Sequence, residues 1–353
     1  VTGARHPLRP GHPIGRRAFL AAAGALLVGA CSGDHDPGTA RGADTGSAAP
    51  SAPSRPGEPA AGDGVDAGVV DVTVHPPRSA VLPAVRTWQP TTNEVEPAAK
   101  RTAARVIEAL GTDMTGTDPA QRLREAGADA ALAGHAGALI PPGSPAVVEL
   151  VYPQYGGLTA DRASVMAVAR QIWADGAGSH RRTVTADVRM RRSGAGTWSV
   201  TELRVPDRLG TGGRTLRGAA RELADRPGVD LPDAARADLA RDVVDAVVVH
   251  TLNELARDFG FSVSVFRAGH PDEVFGTDRI SNHTRGRAVD IWAIDGRPVV
   301  EMARDDSLLL SFLAAARERG SDEIGAPIDP DGAGGVHFTD DLHRDHVHIG
   351  FEP

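Results

Sequence analysis

Chemistry that needs a metal ion is written into two short segments near the C-terminus. One reads Ser281-Asn-His283-Thr-Arg-Gly286-Arg-Ala288-Val-Asp290-Ile291 and the other His343-Arg-Asp345-His346-Val-His348-Ile-Gly350-Phe351. Two imidazoles and a carboxylate, from His283, Asp290 and His348, can hold Zn²⁺ with a fourth tetrahedral position left for water, the donor set of a catalytic zinc rather than a structural one. Hydrolysis is the chemistry such a site performs. His346 and His348 are two residues apart, so on a strand they share a face, while Val347, Ile349 and Phe351 face an apolar core. Between His283 and Asp290, Gly286 allows a loop to turn back into a strand beginning near Ala288.

Ser-x-His-x-x-Gly-x-Ala-x-Asp followed by a distant His-x-His resembles the zinc D-Ala-D-Ala carboxypeptidase and L-alanyl-D-glutamate peptidase family, relatives of the lysostaphin and hedgehog zinc domains. The resemblance covers roughly the last third of the chain and extends to the aromatic-Arg pair Phe266-Arg267. It implies His283, Asp290 and His348 as ligands of one Zn²⁺, Asp345 as general base, and His346 as a non-ligand imidazole beside the metal. Assignment of the base between Asp345 and His346 stays open. A zinc ion would bring the pKa of water down toward about 7, and a carboxylate in reach could carry its proton to the leaving amine. Arg267 is expected to be buried and to grip a substrate carboxylate, with Ser281 beside it at the substrate. The implied substrates are peptidoglycan stem peptides, cleaved by D-alanyl carboxypeptidase action. The Asp-x-x-His spacing also resembles the endopeptidases of the family, and a zinc-containing module that binds wall peptides without cleaving them is a further alternative.

The other end of the chain indicates where this would take place. Residues 1–30 carry Arg16-Arg17-Ala-Phe19-Leu20 and an alanine-rich apolar run, long enough for a signal peptide and too short for a membrane span. The segment resembles a twin-arginine export signal ending in a lipobox, Val28-Gly29-Ala30-Cys31. Cys31 is the only cysteine, so no intrachain disulfide can form, and its expected fate is lipidation that tethers the protein to the outer face of the plasma membrane. Residues 31–90, rich in Gly, Pro, Ala and Ser, read as a disordered linker. The formal net charge is −8, and loss of the four arginines of residues 1–30 makes it more negative. Nucleic acid is thereby an unsuitable partner. Lysine is almost absent while arginine abounds, which reads as compositional bias.

Two folded regions are expected to follow, both α+β. Residues 91–210 contain helical patterns at 97–110 and 120–133, then strand patterns at 147–152, 165–173 and 183–191, an arrangement that loosely resembles the NTF2-like cone. No acid, base or ligand cluster stands out there. Residues 225–353 form the zinc region: a helix over 234–259, a strand at 261–266 and a helix at 307–319 bracket a small antiparallel sheet that carries both motifs, as in hedgehog and DD-peptidase domains.

Overall fold

Helix α1 (Pro97–Gly111) starts with proline in its first turn, where the missing N–H costs nothing, and buries Ala99, Ala103, Val106, Ile107 and Leu110 along one stripe. The computed structural model describes residues 82–206 and 211–352; the expected signal segment, Cys31 and most of the linker lie outside them. Of the linker's end, Trp88 is half-buried and its N–H donates to Glu108 on α1 at 2.6 Å. Helix α2 (Pro119–Glu125) is capped by the Asp118 carboxylate. It is shorter than the sequence pattern suggests, because Gly127 takes φ +72° and turns the chain out of the helix before a 3₁₀ segment at Ala130–His135. Strands β1 (Ala146–Leu158), β2 (Arg162–Asp175), β3 (Gly178–Arg192) and β4 (Trp198–Arg204) then form an antiparallel meander in chain order. Alternate residues Val165, Ala167 and Ala169 on β2, and Val184, Ala186 and Val188 on β3, share one core with α1.

The remaining residues build a second sheet. Helix α3 (Gly218–Asp225), β5 (Val229–Asp230), α4 (Asp233–Ala240), α5 (Ala246–Leu255), β6 (Phe261–Val265), β7 (Ala288–Ile294), β8 (Arg297–Pro298), α6 (Ser307–Glu318), β9 (Glu323–Gly325) and β10 (Val347–Gly350) follow in order. The sheet runs β5-β6-β7-β10-β9, with β8 paired to β7. It is mixed rather than purely antiparallel, because β5 and β6 are parallel. The long helix expected over 234–259 is two helices. Asp242 sits at φ 61°, and Asp245 restarts the helix by accepting the Val247 N–H. The break serves the first motif: Asp245 N–H donates to the Gly286 carbonyl at 2.8 Å. Phe261, Val263, Val289, Ile291, Val347 and Ile349 point to one core together with Phe312 and Leu309 of α6.

The described residues fall within one compact unit, in which the two sheets are joined by specific contacts. Thr183 N–H donates to the Asp233 carboxylate at 2.8 Å, and Asp233 N–H donates to the Thr183 hydroxyl at 2.6 Å. Gly157 of β1 lies so close to Phe275 that a Cβ there would sit 2.0 Å from the ring. The whole is α+β, and among the described residues no helix is long and apolar enough to cross a membrane.

Candidate metal centre

Asp290 and His348 are direct cross-strand partners, since the antiparallel register of β7 and β10 pairs His348 with Asp290 and Val347 with Ile291. Period-two alternation sends Val289, Ile291, Val347 and Ile349 into the core and leaves the two ligand-type side chains on the opposite face. His283 arrives from the loop before β7. Gly286 closes that loop at φ +72°, with a Cβ excluded by the Val243 carbonyl at 2.0 Å.

Three atoms converge. His283 Nε2 lies 3.1 Å from Asp290 Oδ1 and 3.1 Å from His348 Nδ1, and His348 Nδ1 lies 3.0 Å from Asp290 Oδ1. Each imidazole is held from behind. His283 donates its Nδ1–H to the Phe266 carbonyl at 2.5 Å, and His348 Nε2 meets Glu323 Oε1 at 3.3 Å. When both rings are neutral these bonds fix the tautomers, so the inward nitrogens carry lone pairs aimed at a carboxylate oxygen. Three acceptors facing one another repel unless a cation or a proton lies among them. The arrangement, with each outer nitrogen hydrogen-bonded, is one that could hold a metal ion. Asp290 is completed by Gln154 of β1, whose amide donates to Oδ2 at 2.7 Å and whose carbonyl accepts from Ser264. Gly350 makes room for Glu323, whose Oε1 would be 2.6 Å from a Cβ there.

The electrostatics agree with a site built for positive charge. Burial works to lower the His348 pKa, but the Asp290 and Glu323 carboxylates outweigh it and push the group up to about 9. The hydrogen bond from His348 in turn holds Glu323 down to about 2, against its burial. Asp290 stays well below the usual carboxylate range despite burial, because His283, His346 and His348 surround it.

His270 also belongs to this centre. Its ring stacks on His283 at 3.8 Å between centroids, and His270, His283 and Asp290 form a group that could hold a metal ion, with one ligand atom each within 4.8 Å of the others. Its Nδ1 faces the Pro271 carbonyl at 2.7 Å, and burial, then His283, keep its pKa well below the ordinary histidine value. Nothing in the spacing of a single histidine in an Ala-Gly-His-Pro loop marks it out.

The other expected residues are placed as follows. His346 Nδ1–H donates to Asp345 Oδ1 at 2.6 Å, and its Nε2 is 3.9 Å from Asp290 Oδ1, on the side of the ligands. Asp345 stands behind His346. Its Oδ2 accepts from Lys100 at 2.6 Å and from Tyr155 N–H at 3.1 Å, so both oxygens are engaged away from the ligand cluster. Arg267, expected to be buried, is exposed; its backbone N–H is tied to Asp238 and its side chain lines a cavity with Arg204 and His270. Ser281, expected at the substrate, is turned inward at 5% exposure, and its hydroxyl accepts the His283 N–H at 3.2 Å. It shapes the ligand loop. His343 packs its ring against those of His346 and His348 and bonds Asp340 at 2.8 Å.

Comparisons of the chain with protein-family models, with curated proteins and with solved structures returned no match.

Proposed function

We propose that this chain is an extracytoplasmic zinc peptidase that cleaves peptidoglycan stem peptides, with D-alanyl carboxypeptidase action as the reaction. The single observation that carries the reading is the convergence of His283 Nε2, Asp290 Oδ1 and His348 Nδ1 within 3.1 Å, each ring anchored through its other nitrogen. Resemblance of the two motifs to the D-Ala-D-Ala carboxypeptidases supports the substrate class and a hedgehog-like fold for the second sheet, while the order of helices followed by an antiparallel four-stranded sheet supports an NTF2-like first half. A zinc ion at His283, Asp290 and His348 would polarise the scissile carbonyl and make water acidic enough to attack near neutral pH.

The protein's own groups supply the proton path and the grip on substrate. As the water oxygen bonds to the carbonyl carbon, His346 Nε2 takes a water proton, and it returns that proton to the amine nitrogen as the C–N bond breaks. Asp345 keeps His346 in the Nδ1–H tautomer, which leaves Nε2 free for this work. Asp345 itself has both oxygens occupied, one by His346 and the other by Lys100 and the Tyr155 N–H. Arg267, exposed in the adjoining cavity, is suited to a terminal carboxylate. Export and lipidation at Cys31 would bring the site to the cell wall.

A second reading rests on His270. Were its imidazole to fill the fourth metal position, the ion would be structural and the protein would bind wall peptides without cleaving them. Zinc-loaded protein incubated with muropeptides, its products read by mass spectrometry, separates the two. Release of D-alanine by wild type and none by H348A is the expected result. Binding without any product between about pH 6 and about pH 9 discards the peptidase reading.

A further inference from the structure

Lys100 is the only lysine in a chain of 353 residues whose other basic side chains are arginines and histidines. It is also fully buried, on α1, far from the zinc motifs in sequence. Its ammonium meets three oxygens: Glu94, the Tyr152 hydroxyl at 3.0 Å and Asp345 Oδ2 at 2.6 Å. The rings of Tyr152 and Tyr155 lie 4.7 and 4.9 Å from the same nitrogen. Three oxygens answer the three donors of a compact ammonium, a geometry that the planar fork of arginine does not reproduce. Among the described residues every other side-chain ion pair is made by arginine or histidine, so this position sets a demand of its own.

A buried ion pair is weak as a stabilising device, since desolvation offsets most of the attraction and an apolar side chain of equal size often serves packing better. What the ammonium does do is keep the Asp345 carboxylate charged and fixed. Burial works to raise the Asp345 pKa, and Lys100 and His346 together bring it below the ordinary value. The same carboxylate holds His346 Nδ1–H at 2.6 Å.

We propose that Lys100 is a positioning residue for hydrolysis at the zinc centre, acting through Asp345 to fix the tautomer and aim of the His346 imidazole. The first sheet and its helix are on this view a working part of the site. Tyr155 N–H steadies the same Asp345 oxygen, and Gln154, one residue earlier on β1, holds the far oxygen of Asp290. The inference rests on the peptidase reading for its consequence in rate, and on geometry alone for its consequence in structure.

The test uses full-length zinc-loaded protein carrying Lys100→Met, Asp345→Asn and both together, with muropeptide as substrate. K100M is expected to keep one zinc per chain and a KM within about twofold of wild type, while kcat falls about 10²-fold or more. The double variant is expected to be no slower than D345N, because both changes break one path. A lysine that only clamps the two sheets together predicts losses that multiply, or loss of zinc in step with activity, and either outcome overturns the proposal. So does an unchanged kcat in K100M. An independent reading is the downfield proton of the His346 Nδ1–H bond, assigned by its absence in H346A. It is expected in wild type and lost or shifted upfield in K100M; an unaltered signal in K100M overturns the proposal whether or not the wild type turns over. Absence of turnover in the wild type with this signal behaving as expected rejects the peptidase reading and leaves the positioning of His346 standing. If K100M does not accumulate, Lys100→Gln removes the charge, retains a donor and is read the same way.

Discussion

At the scale of single residues, the centre is a set of groups whose protonation depends on one another. The Glu323–His348 pair gives a pH signature in chelator-treated protein. Glu323 is depressed from 4.5 to about 2, so its contribution to stability is full above pH 4.5 and is lost as pH falls through about 2. His348 is raised from 6.5 to about 9, so its contribution is full below pH 6.5 and is lost as pH rises through about 9. Wild type should therefore exceed E323Q in stability most between pH 4.5 and 6.5, by about 1.5–3 kcal/mol for a charged hydrogen bond, with the gap closing above about pH 9. Denaturant melts of the two proteins across that range provide the check. Gln154→Leu removes the donor on Asp290 Oδ2 and is expected to weaken zinc binding about 10–100-fold in competition with a chromogenic chelator, with the fold retained. Unchanged affinity would mean that Asp290 needs no support from β1.

At the scale of elements, two glycines with similar backbone angles should behave differently. Gly286 and Gly320 take φ of +72° and +86°, but a Cβ on Gly286 would lie 2.0 Å from the Val243 carbonyl, whereas nothing lies within 4 Å of one on Gly320. Gly320→Ala is expected to cost about 1–2 kcal/mol, the ordinary penalty for a left-handed alanine. Gly286→Ala should cost more and empty the metal site, because the loop that delivers His283 must move; thermal melts with zinc analysis decide it. The same elements explain what could be read from the sequence. Apolar alternation around His348 revealed β10 and the face on which His348 stands, because burial of every second residue is a local pattern. Gly286 marked the turn into β7, whereas His346, expected on the same strand as His348, lies just before β10. The break between α4 and α5 was hidden, since its cause is a carbonyl from the Gly286 loop that the apolar spacing of 234–259 does not register. Lys100, Gln154 and Glu323 were equally hidden as parts of the site. Each reaches it from an element distant in sequence or from a short edge strand, and a single polar residue in an amphipathic segment looks like solvated surface. The scarcity of lysine was visible, but its meaning required knowing where the one lysine lies.

At the scale of the whole molecule, two sheets with separate hydrophobic cores share one polar seam, formed by Lys100, Asp345, Gln154, Asp290, Thr183 and Asp233. Opening that seam leaves buried charges without partners, which is costly. Calorimetry of the full chain is accordingly expected to give one transition with equal calorimetric and van't Hoff enthalpies. Two separated transitions would show that the halves fold as independent modules.

The pairing of His348 with Asp290 across β7 and β10 has a consequence for how the chain finds its fold. Slippage of β10 by one residue would reverse every side chain, sending His348 toward the apolar interior and Val347 toward Asp290. An alignment slipped by one residue would therefore take His348 away from Asp290 and His283. Were a metal ion held by His283, Asp290 and His348, its capture during folding would act as a proofreading step against that one-residue slip.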